Sequence, residues 1–477
     1  MLFNSVEFAY FFIITTALYF AIPFRYRWLM LLVSGCVFYM CWRWQYIFII
    51  AAETLVNYAC GLGIARSDRP RTRKLYLAAA AVVTMGILFF YKYYNFINES
   101  FRGVFAYFGL PYDLPYISVV LPVGISFHSF QTLGYTVDVY RRKFQAEKHA
   151  GYFSLYSLFY PQLIAGPIER ADHLLTQLRR ENRFSVERLS SGLKLMLWGL
   201  FKKAVIADRL SVFVNQIYGD PSNYSGSTLL LATYGFAFQI YCDFSGYSDI
   251  AIGCARILGV DLMQNFRLPY LAKSITEFWS RWHISLTTWF RDYLYIPLGG
   301  NRVSSTRWVG NILTVFLISG LWHGANWTFV IWGALHGIFY LVGHFTLSAR
   351  DKAWRMLGVP AAVVNVVRIV ITFHLVLLAW VFFRANSFWD ATYILKHIAS
   401  DLGGSLYLGA SQLQTVVSAF FVLLLIVIQV LQSRGRIALY NSPSGVGKYA
   451  RMAGYVLMVF GILIFGISSN AFIYFQF

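Results

Sequence analysis

Apolar stretches of about 20 residues recur along this chain, and each is long enough to cross a bilayer as a helix. Hydrophobic residues make up 58% of the chain and charged residues 13%, with a mean hydropathy of +0.55. The stretches lie near residues 8–24, 28–41, 45–65, 75–97, 117–138, 190–217, 228–259, 309–346, 364–385, 413–433 and 450–473. The sequence therefore predicts an all-α integral membrane protein with roughly eleven transmembrane helices. We expect a single membrane-embedded domain over residues 1–477.

The charge pattern indicates topology rather than a nucleic-acid partner. A net charge of +19 arises from Lys and Arg residues that cluster in short loops, at Arg25 and Arg27, at residues 66–74 and at residues 141–143. Such loops stay on the cytoplasmic side of a membrane. We therefore expect membrane lipid around the chain, no nucleic acid, and an extracytoplasmic N-terminus.

The five cysteines lie in or beside apolar stretches and include no Cys-x-x-Cys pair. This pattern predicts neither a disulfide framework nor a zinc site, and no metal site is expected. The first apolar stretch lacks a basic leader and a small-residue cleavage site, so we expect it to remain as a helix.

Residues 150–170 are apolar but short, and Pro161 and Gly166-Pro167 interrupt them. We predict a re-entrant segment rather than a span. Irregular backbone is tolerated at membrane depth only where it is buried in protein or lines a wet cavity. The segment therefore points to an internal chamber.

Residues 274–295 have the pattern of an interfacial helix. Ser274 and Glu277 form a capping box, and Glu277 and Arg281 are spaced for an i, i+4 ion pair. Apolar residues recur at helical spacing at Trp279, Trp282, Leu286 and Trp289. These tryptophans suit an aromatic belt, and the arginines suit a membrane anchor. His283 lies among them, and we weigh a functional role for it equally against packing.

His323 is the strongest single candidate for a catalytic group. It lies in Ser319-Gly-Leu-Trp-His-Gly-Ala-Asn-Trp327, inside an apolar window that continues to Phe345. An ionisable group at membrane depth is costly and usually functional, although a satisfied core histidine is the alternative. On a continuous helix Ser319 and Asn326 share its face, whereas His336 lies about 220° away. Gly320 and Gly324 form a Gly-x-x-x-Gly pair that suits helix packing.

Two acidic residues, Asp243 and Asp249, interrupt another apolar window within Tyr241-Cys-Asp-Phe-Ser-Gly-Tyr-Ser-Asp249. Intramembrane carboxylates rarely face lipid. They either line a substrate tunnel or pair within a helical break, and the sequence leaves both alternatives open.

Eight motifs follow one another along the chain. They are Leu121-Pro-Val-Gly-Ile-Ser-Phe127, Asp138-Val-Tyr-Arg141, Leu163-Ile-Ala-Gly-Pro-Ile168, Asp243-Phe-Ser-Gly-Tyr-Ser-Asp249, Phe278 to His283, Arg291-Asp-Tyr-Leu-Tyr295, Leu298-Gly-Gly-Asn-Arg302 and Gly320-Leu-Trp-His-Gly-Ala-Asn326. In this order they strongly resemble the membrane-bound O-acyltransferase family. The nearest likeness is to its bacterial branch, which contains the alginate O-acetyltransferase membrane subunit. The resemblance covers essentially the whole chain, down to the closing Phe472-Ile-Tyr-Phe-Gln-Phe477.

The resemblance implies helices around a central tunnel, with the family's central histidine at His323 and its second polar position at His283. It implies a bacterial cytoplasmic (inner) membrane and acetyl-CoA as a donor substrate rather than a bound cofactor. It also implies a periplasmic partner with an SGNH-hydrolase-like fold, and a polysaccharide acceptor. An alginate-like polymer is the first choice, with cellulose and peptidoglycan as alternatives.

Acyl transfer from a thioester needs a base and donors for an oxyanion. We assign the base to His323 and the donors to Asn326 or Trp322, with His283 positioning a substrate. Further tunnel candidates are Asp243, Asp249, Ser319 and Arg281. No nucleophile-elbow pattern occurs in the sequence, which favours direct transfer.

Two other functions compete with this prediction. Phe278-Trp-Ser-Arg-Trp282 is similar to a motif of membrane glycosyltransferases, but the Gln of that motif is absent. A transporter or flippase is the second alternative, although no internal repeat typical of many transporters is evident.

Overall fold

The computed structural model describes residues 1–164, 166–436, 447–467 and 472–473. Within these ranges the chain forms helices and connections and contains no strand. The closing motif and the last apolar window fall partly outside the described residues, at 468–471 and 474–477. The all-α prediction is thus confirmed for the described part of the chain.

The chain divides into two compact units. The first comprises residues 1–189, 254–263 and 324–326, and the second residues 190–253, 264–323 and 327–477. Compact units need not fold independently, so the prediction of a single domain stays a prediction.

Eight of the described α-helices lie wholly within the first unit. Ser5 caps the first by accepting a hydrogen bond from the Phe8 N–H at 3.2 Å, and Pro70 opens the fourth, where no intrahelical N–H is needed. The helices are α1 (Val6–Ala21), α2 (Phe24–Met40), α3 (Ile47–Arg66), α4 (Pro70–Leu88), α5 (Tyr94–Tyr107), α6 (Ile125–Tyr140), α7 (Ala150–Leu158) and α8 (Ala171–Leu178).

Hydrogen bonds between polar side chains join three of these helices. The Asn57 amide on α3 donates to the Thr84 hydroxyl on α4 at 3.0 Å and accepts from the Thr136 hydroxyl on α6 at 2.8 Å. The Thr132 hydroxyl donates to Glu53 at 3.2 Å. These side chains are buried, so the polar groups of α3 face protein rather than lipid.

The predicted re-entrant stretch begins with α7, whose 9 residues are too few to span a bilayer. The connection from Phe159 to Pro161 and the residues from Gly166 to Glu169 are buried. Buried irregular backbone was the expectation for this stretch.

The remaining helices belong mainly to the second unit. They are α9 (Val186–Phe201), α10 (Asp208–Gly219), α11 (Gly226–Ile257), α12 (Ile275–Arg281), α13 (Ile284–Phe290), α14 (Ser305–His323), α15 (Trp327–Phe345), α16 (Leu347–Met356), α17 (Ala361–Arg384), α18 (Phe388–Ser400), α19 (Gln412–Ser433) and α20 (Lys448–Phe465).

In the described part of the chain, five helical segments are long and apolar enough to cross a membrane, namely Trp44–Arg66, Pro70–Tyr107, Trp327–Phe345, Ala361–Arg384 and Gln412–Ser433. Two shorter apolar helices are Val6–Ala21 and Tyr449–Phe465. These segments support a multi-pass membrane protein. The count of eleven spans and the central tunnel stay predictions.

The prediction of one interfacial helix over residues 274–295 is wrong. The chain leaves helical geometry at Trp282 and His283, where His283 has φ 45° and ψ 53°, and α13 begins at Ile284. The tryptophans at 279, 282 and 289 are buried in protein rather than arranged as an aromatic belt. The capping serine is confirmed, since Ser274 accepts from the Glu277 N–H at 3.1 Å, and Arg281 pairs with Glu277 at 2.5 Å.

Two further helix boundaries differ from expectation. The window over residues 309–346 is two helices, because α14 ends at His323 and α15 begins at Trp327. Gly324 and Asn326, both favourable in turns, account for this break. Conversely, α11 runs unbroken through Asp243 and Asp249, so the proposed helical break there does not exist.

Candidate active site

His283 and His323 lie together in the second unit. Their ring centroids are 6.2 Å apart, and their side chains are 0% and 3% exposed respectively. His283 precedes the first turn of α13, and His323 is the last residue of α14. The two histidines singled out from the sequence are therefore neighbours in space.

Aromatic rings surround both imidazoles. The ring centroid of Phe244 lies 4.6 Å from that of His283, and the two rings are nearly perpendicular. The ring centroid of Trp322 lies 5.9 Å from that of His283. Trp332 and Phe383 lie 4.9 Å and 5.5 Å from His323. Electrostatic and hydrogen-bonding interactions are stronger in such a low-dielectric site than in water.

The backbone of His283 adopts the left-handed conformation, which is uncommon for residues other than glycine. Buried Asn265 holds the backbone that follows it. The Ile284 N–H donates to the Asn265 carbonyl at 3.0 Å, and the Ser285 N–H donates to the Asn265 side-chain oxygen at 3.2 Å. Uncommon backbone geometry that persists at a candidate site is consistent with a functional constraint.

Close packing of α14 against α15 positions His323. A β-carbon on Gly320 would lie 2.3 Å from the carbonyl oxygen of Phe329, and one on Gly333 equally close to that of Phe316. Gly320 thus has the predicted packing role, but its counterpart is Gly333, because Gly324 lies outside the helix.

Ser319 is buried one turn before His323 on α14. Asn326 lies in the connection after that helix, so the prediction that both share its helical face is wrong for Asn326. Trp322 is buried beside both histidines, at 5.9 Å from His283 and 5.0 Å from His323.

His336 lies nearer to this cluster than a continuous helix would allow. Trp332 is 4.9 Å from His323 and 5.0 Å from His336. The Trp279 indole N–H donates to His336 Nδ1 at 3.3 Å. His336 therefore has a hydrogen-bonded position in the core.

The two acids of α11 form ion pairs with adjacent lysines. Lys202 pairs with Asp249 at 2.8 Å, whereas Lys203 pairs with both Asp243 and Asp208 at 2.8 Å. All but Asp249 are nearly inaccessible to solvent. Two consecutive lysines in the apolar window at 190–217 were a visible signal of this pairing, which sequence reasoning missed.

A polar pocket of about 570 Å³ lies in the same unit. Three cations line it, namely Lys202, Arg267 and Arg281, together with the acids Asp249 and Glu277. Trp198, Tyr241 and Phe266 add aromatic surface. Of the residues predicted from the sequence to line a tunnel, Arg281 and Asp249 thus line this pocket. Asp243 instead lies in the buried ion cluster that it forms with Lys203 and Asp208.

Other site residues carried little sequence signal. Asn265, Phe244 and Phe383 lie outside any pattern that predicts contact with a histidine. Among the described residues, no group of three or more His, Cys, Asp or Glu side chains has the geometry to hold a metal ion.

Comparison with known proteins gives consistent results. The profile of the membrane-bound O-acyltransferase family matches residues 141–385. A probable alginate O-acetylase of Pseudomonas aeruginosa is 40% identical over 392 residues, covering 81% of this chain and 72% of the relative. A peptidoglycan O-acetyltransferase of Helicobacter pylori is 32% identical, covering 79% of this chain and 75% of the relative.

A more distant relative is a teichoic acid D-alanyltransferase of Bacillus subtilis, 28% identical over 48% of this chain and 60% of the relative. The profile includes both histidines and most of the helices that hold them. The chain is therefore an acyltransferase and belongs to the membrane-bound O-acyltransferase family.

Proposed function

We propose that this enzyme transfers an acetyl group from acetyl-CoA to hydroxyls of an extracytoplasmic polysaccharide, with His323 as the general base. The observation that carries the proposal is the buried pair of His283 and His323, 6.2 Å apart within aromatic surroundings. An alginate-like polymer is the first choice of acceptor, because relatives named alginate O-acetylase cover most of the chain. Cellulose and peptidoglycan are the alternatives.

In the proposed reaction His323 takes the proton of the acceptor hydroxyl as its oxygen attacks the thioester carbonyl. The tetrahedral intermediate carries an oxyanion, which needs donors that are already in place. The indole N–H of Trp322 and the amide of Asn326 are the candidates. As the C–S bond breaks, the leaving thiolate receives the proton from His323 and departs as the free thiol.

His283 has a supporting role in this mechanism, which is to orient the donor or the acceptor beside His323. Ser319 is a second candidate for holding the acceptor, since its hydroxyl lies one turn from His323 on α14. None of these steps requires an acyl-enzyme on this chain.

The polar pocket supports acetyl-CoA as the donor. Arg267 offers an exposed guanidinium for the phosphates of the coenzyme, and arginine suits phosphate oxygens because it can bind two at once. Lys202 and Arg281 also line the pocket, paired with Asp249 and Glu277. Trp198, Tyr241 and Phe266 also line the pocket, mostly buried, and would give an adenine apolar contact.

The proposal also includes the bacterial inner membrane as location, with the N-terminus extracytoplasmic and a periplasmic SGNH-hydrolase-like partner. The basic loops near Arg25 and over residues 66–74 support this orientation. The partner would accept the acetyl group or present the polymer to the tunnel.

The test uses purified enzyme in detergent with radiolabelled acetyl-CoA, an acceptor polysaccharide and a periplasmic SGNH-hydrolase-like protein as the partner. Release of free CoA that depends on the acceptor is expected, whereas a transporter would release none. His323→Ala should lower the rate by about 10²- to 10⁴-fold, the usual contribution of a general base.

His336→Gln is the matched control, since a glutamine oxygen can still accept from Trp279. It should retain most of the activity. Full activity of His323→Ala in a correctly folded protein would overturn the assignment of the base.

A further inference from the structure

A buried ion cluster fixes a segment that is far away in sequence. Both carboxylate oxygens of Asp243 on α11 are engaged, one in the 2.8 Å ion pair with Lys203 and the other as acceptor for the Ile473 N–H at 2.7 Å. Lys203 also pairs with Asp208 at 2.8 Å. Asp243 therefore joins the start of α10, the middle of α11 and the segment Phe472–Ile473.

The segment Phe472–Ile473 packs toward the candidate active site. Phe472 is fully buried, and its ring lies 4.4 Å from Tyr247 and 5.7 Å from Phe244. Phe244 in turn lies 4.6 Å from His283, with an angle of 83° between the rings. One aromatic ring thus separates this segment from the histidine.

The chemistry of the anchor indicates more than packing. A buried ion pair is costly to desolvate, and apolar residues of similar volume often stabilise a core as well or better. The charged anchor fixes the position of the Ile473 backbone. Lys203 orients the carboxylate of Asp243, and the carboxylate then accepts from the Ile473 N–H in one direction. The ion cluster thus sets where Phe472 lies.

We propose that Phe472 and Ile473 are positioning residues for acyl transfer, which hold Phe244 against His283 and depend on Asp243 and Lys203 as their anchor. The inference rests on the proposed function and extends it to a segment outside the matched family profile. The carbonyl of His283 is fixed at the start of α13, where it accepts from the Thr287 N–H at 3.0 Å, so the support from Phe244 acts on the position of the imidazole ring. Small displacements of a substrate-positioning group cost large factors in rate.

The test compares Phe472→Ala with Phe472→Leu, which keeps most of the side-chain volume. Phe421→Ala is the matched control, since Phe421 is a buried phenylalanine of the same unit that packs on Phe201 and Phe465 instead. Asp243→Asn tests the anchor independently. The asparagine side chain has only one accepting oxygen, so it cannot accept from both Lys203 and the Ile473 N–H in the same geometry.

Two readouts are measured on monodisperse protein. The first is the rate at which diethyl pyrocarbonate modifies His283, followed by mass spectrometry. We expect faster modification in Phe472→Ala and Asp243→Asn than in wild type, and an unchanged rate in Phe421→Ala. The second is steady-state kinetics, where Phe472→Ala should lower kcat at least ten-fold with a smaller change in KM for the donor, and Phe472→Leu should restore part of kcat.

The outcomes separate the two proposals. If wild type releases no CoA, the proposed function fails, and modification of His283 still tests the support from Phe472. If His283 is modified equally fast in wild type and Phe472→Ala, or if Phe421→Ala reproduces the loss in kcat per folded molecule, the positioning role is wrong.

Discussion

The carbonyl oxygen of Phe329 lies where a side chain on Gly320 would have to be, 2.3 Å from the position of a β-carbon. This contact brings the backbones of α14 and α15 together one turn before His323. Any larger residue at position 320 must push the two helices apart, and His323 moves with the end of α14.

Gly320→Ala should therefore lower both stability and activity. Overpacking of this kind typically costs about 1–3 kcal/mol. Thermal unfolding in detergent and CoA release measure the two effects. Gly310→Ala on the same helix is the control, since no atom lies within 4 Å of its β-carbon position, and it should leave both unchanged. Equal behaviour of the two variants would contradict this account.

Asn265→Ala should displace His283. The substitution leaves the buried Ser285 N–H without its side-chain acceptor, which costs about 1–3 kcal/mol, and frees the backbone that follows His283. We expect a lower melting temperature together with a loss in kcat. The exposed Asn223→Ala is the control and should change neither. A fully active Asn265→Ala enzyme would show that this hydrogen bond does not position the histidine.

Arg267→Ala should weaken binding of the donor. Arg267 is exposed at the polar pocket, where its guanidinium donates to the side-chain oxygen of Gln264 at 3.1 Å, so its removal should affect folding little. We expect KM for acetyl-CoA to rise several-fold with kcat little changed, and the difference from wild type to shrink at high salt. Arg355→Ala, at a separate pocket, should leave KM unchanged. A rise in KM for the acceptor alone would place the donor elsewhere.

Asn57→Ala should loosen the packing of α3, α4 and α6. Two hydrogen bonds between helices are lost, and at about 0.6 kcal/mol each the cost is about 1 kcal/mol. Unfolding in mixed micelles measures the change. Leu55→Ala, exposed on the same helix, should cost less. If the exposed substitution is the more harmful, the buried polar contacts do not stabilise this unit.

Apolar windows located most helices of this fold, because length and hydropathy report directly on burial in lipid. They failed where polar and glycine residues break a helix inside an apolar window. Gly324 and Asn326 are turn residues, but the apolar residues on both sides of them form one continuous window in the sequence. At His283 no turn residue marks the break, because the backbone that follows it is held by Asn265 from the loop before α12.

The histidine pair was partly predictable. His323 and His283 stood out by residue type and family resemblance, but their contact depends on how α13 and α14 pack, which no local pattern encodes. The pairing of Asp243 and Asp249 was accessible in principle, since Lys202 and Lys203 are the opposite charges in a neighbouring apolar window. Which lysine pairs with which acid depends on the register of α11.

The hydrogen bond from Ile473 to Asp243 also has a consequence for biosynthesis. Lys203, Asp208 and Asp243 are all translated long before residue 473. During synthesis the Asp243 carboxylate therefore lacks the Ile473 N–H until that residue has been added. If that partner is needed to set His283, a nascent chain or a fragment shortened before Phe472 has both histidines and still transfers nothing. Activity would then begin only after residue 473 has been made, which would prevent shorter nascent chains from hydrolysing the acyl donor.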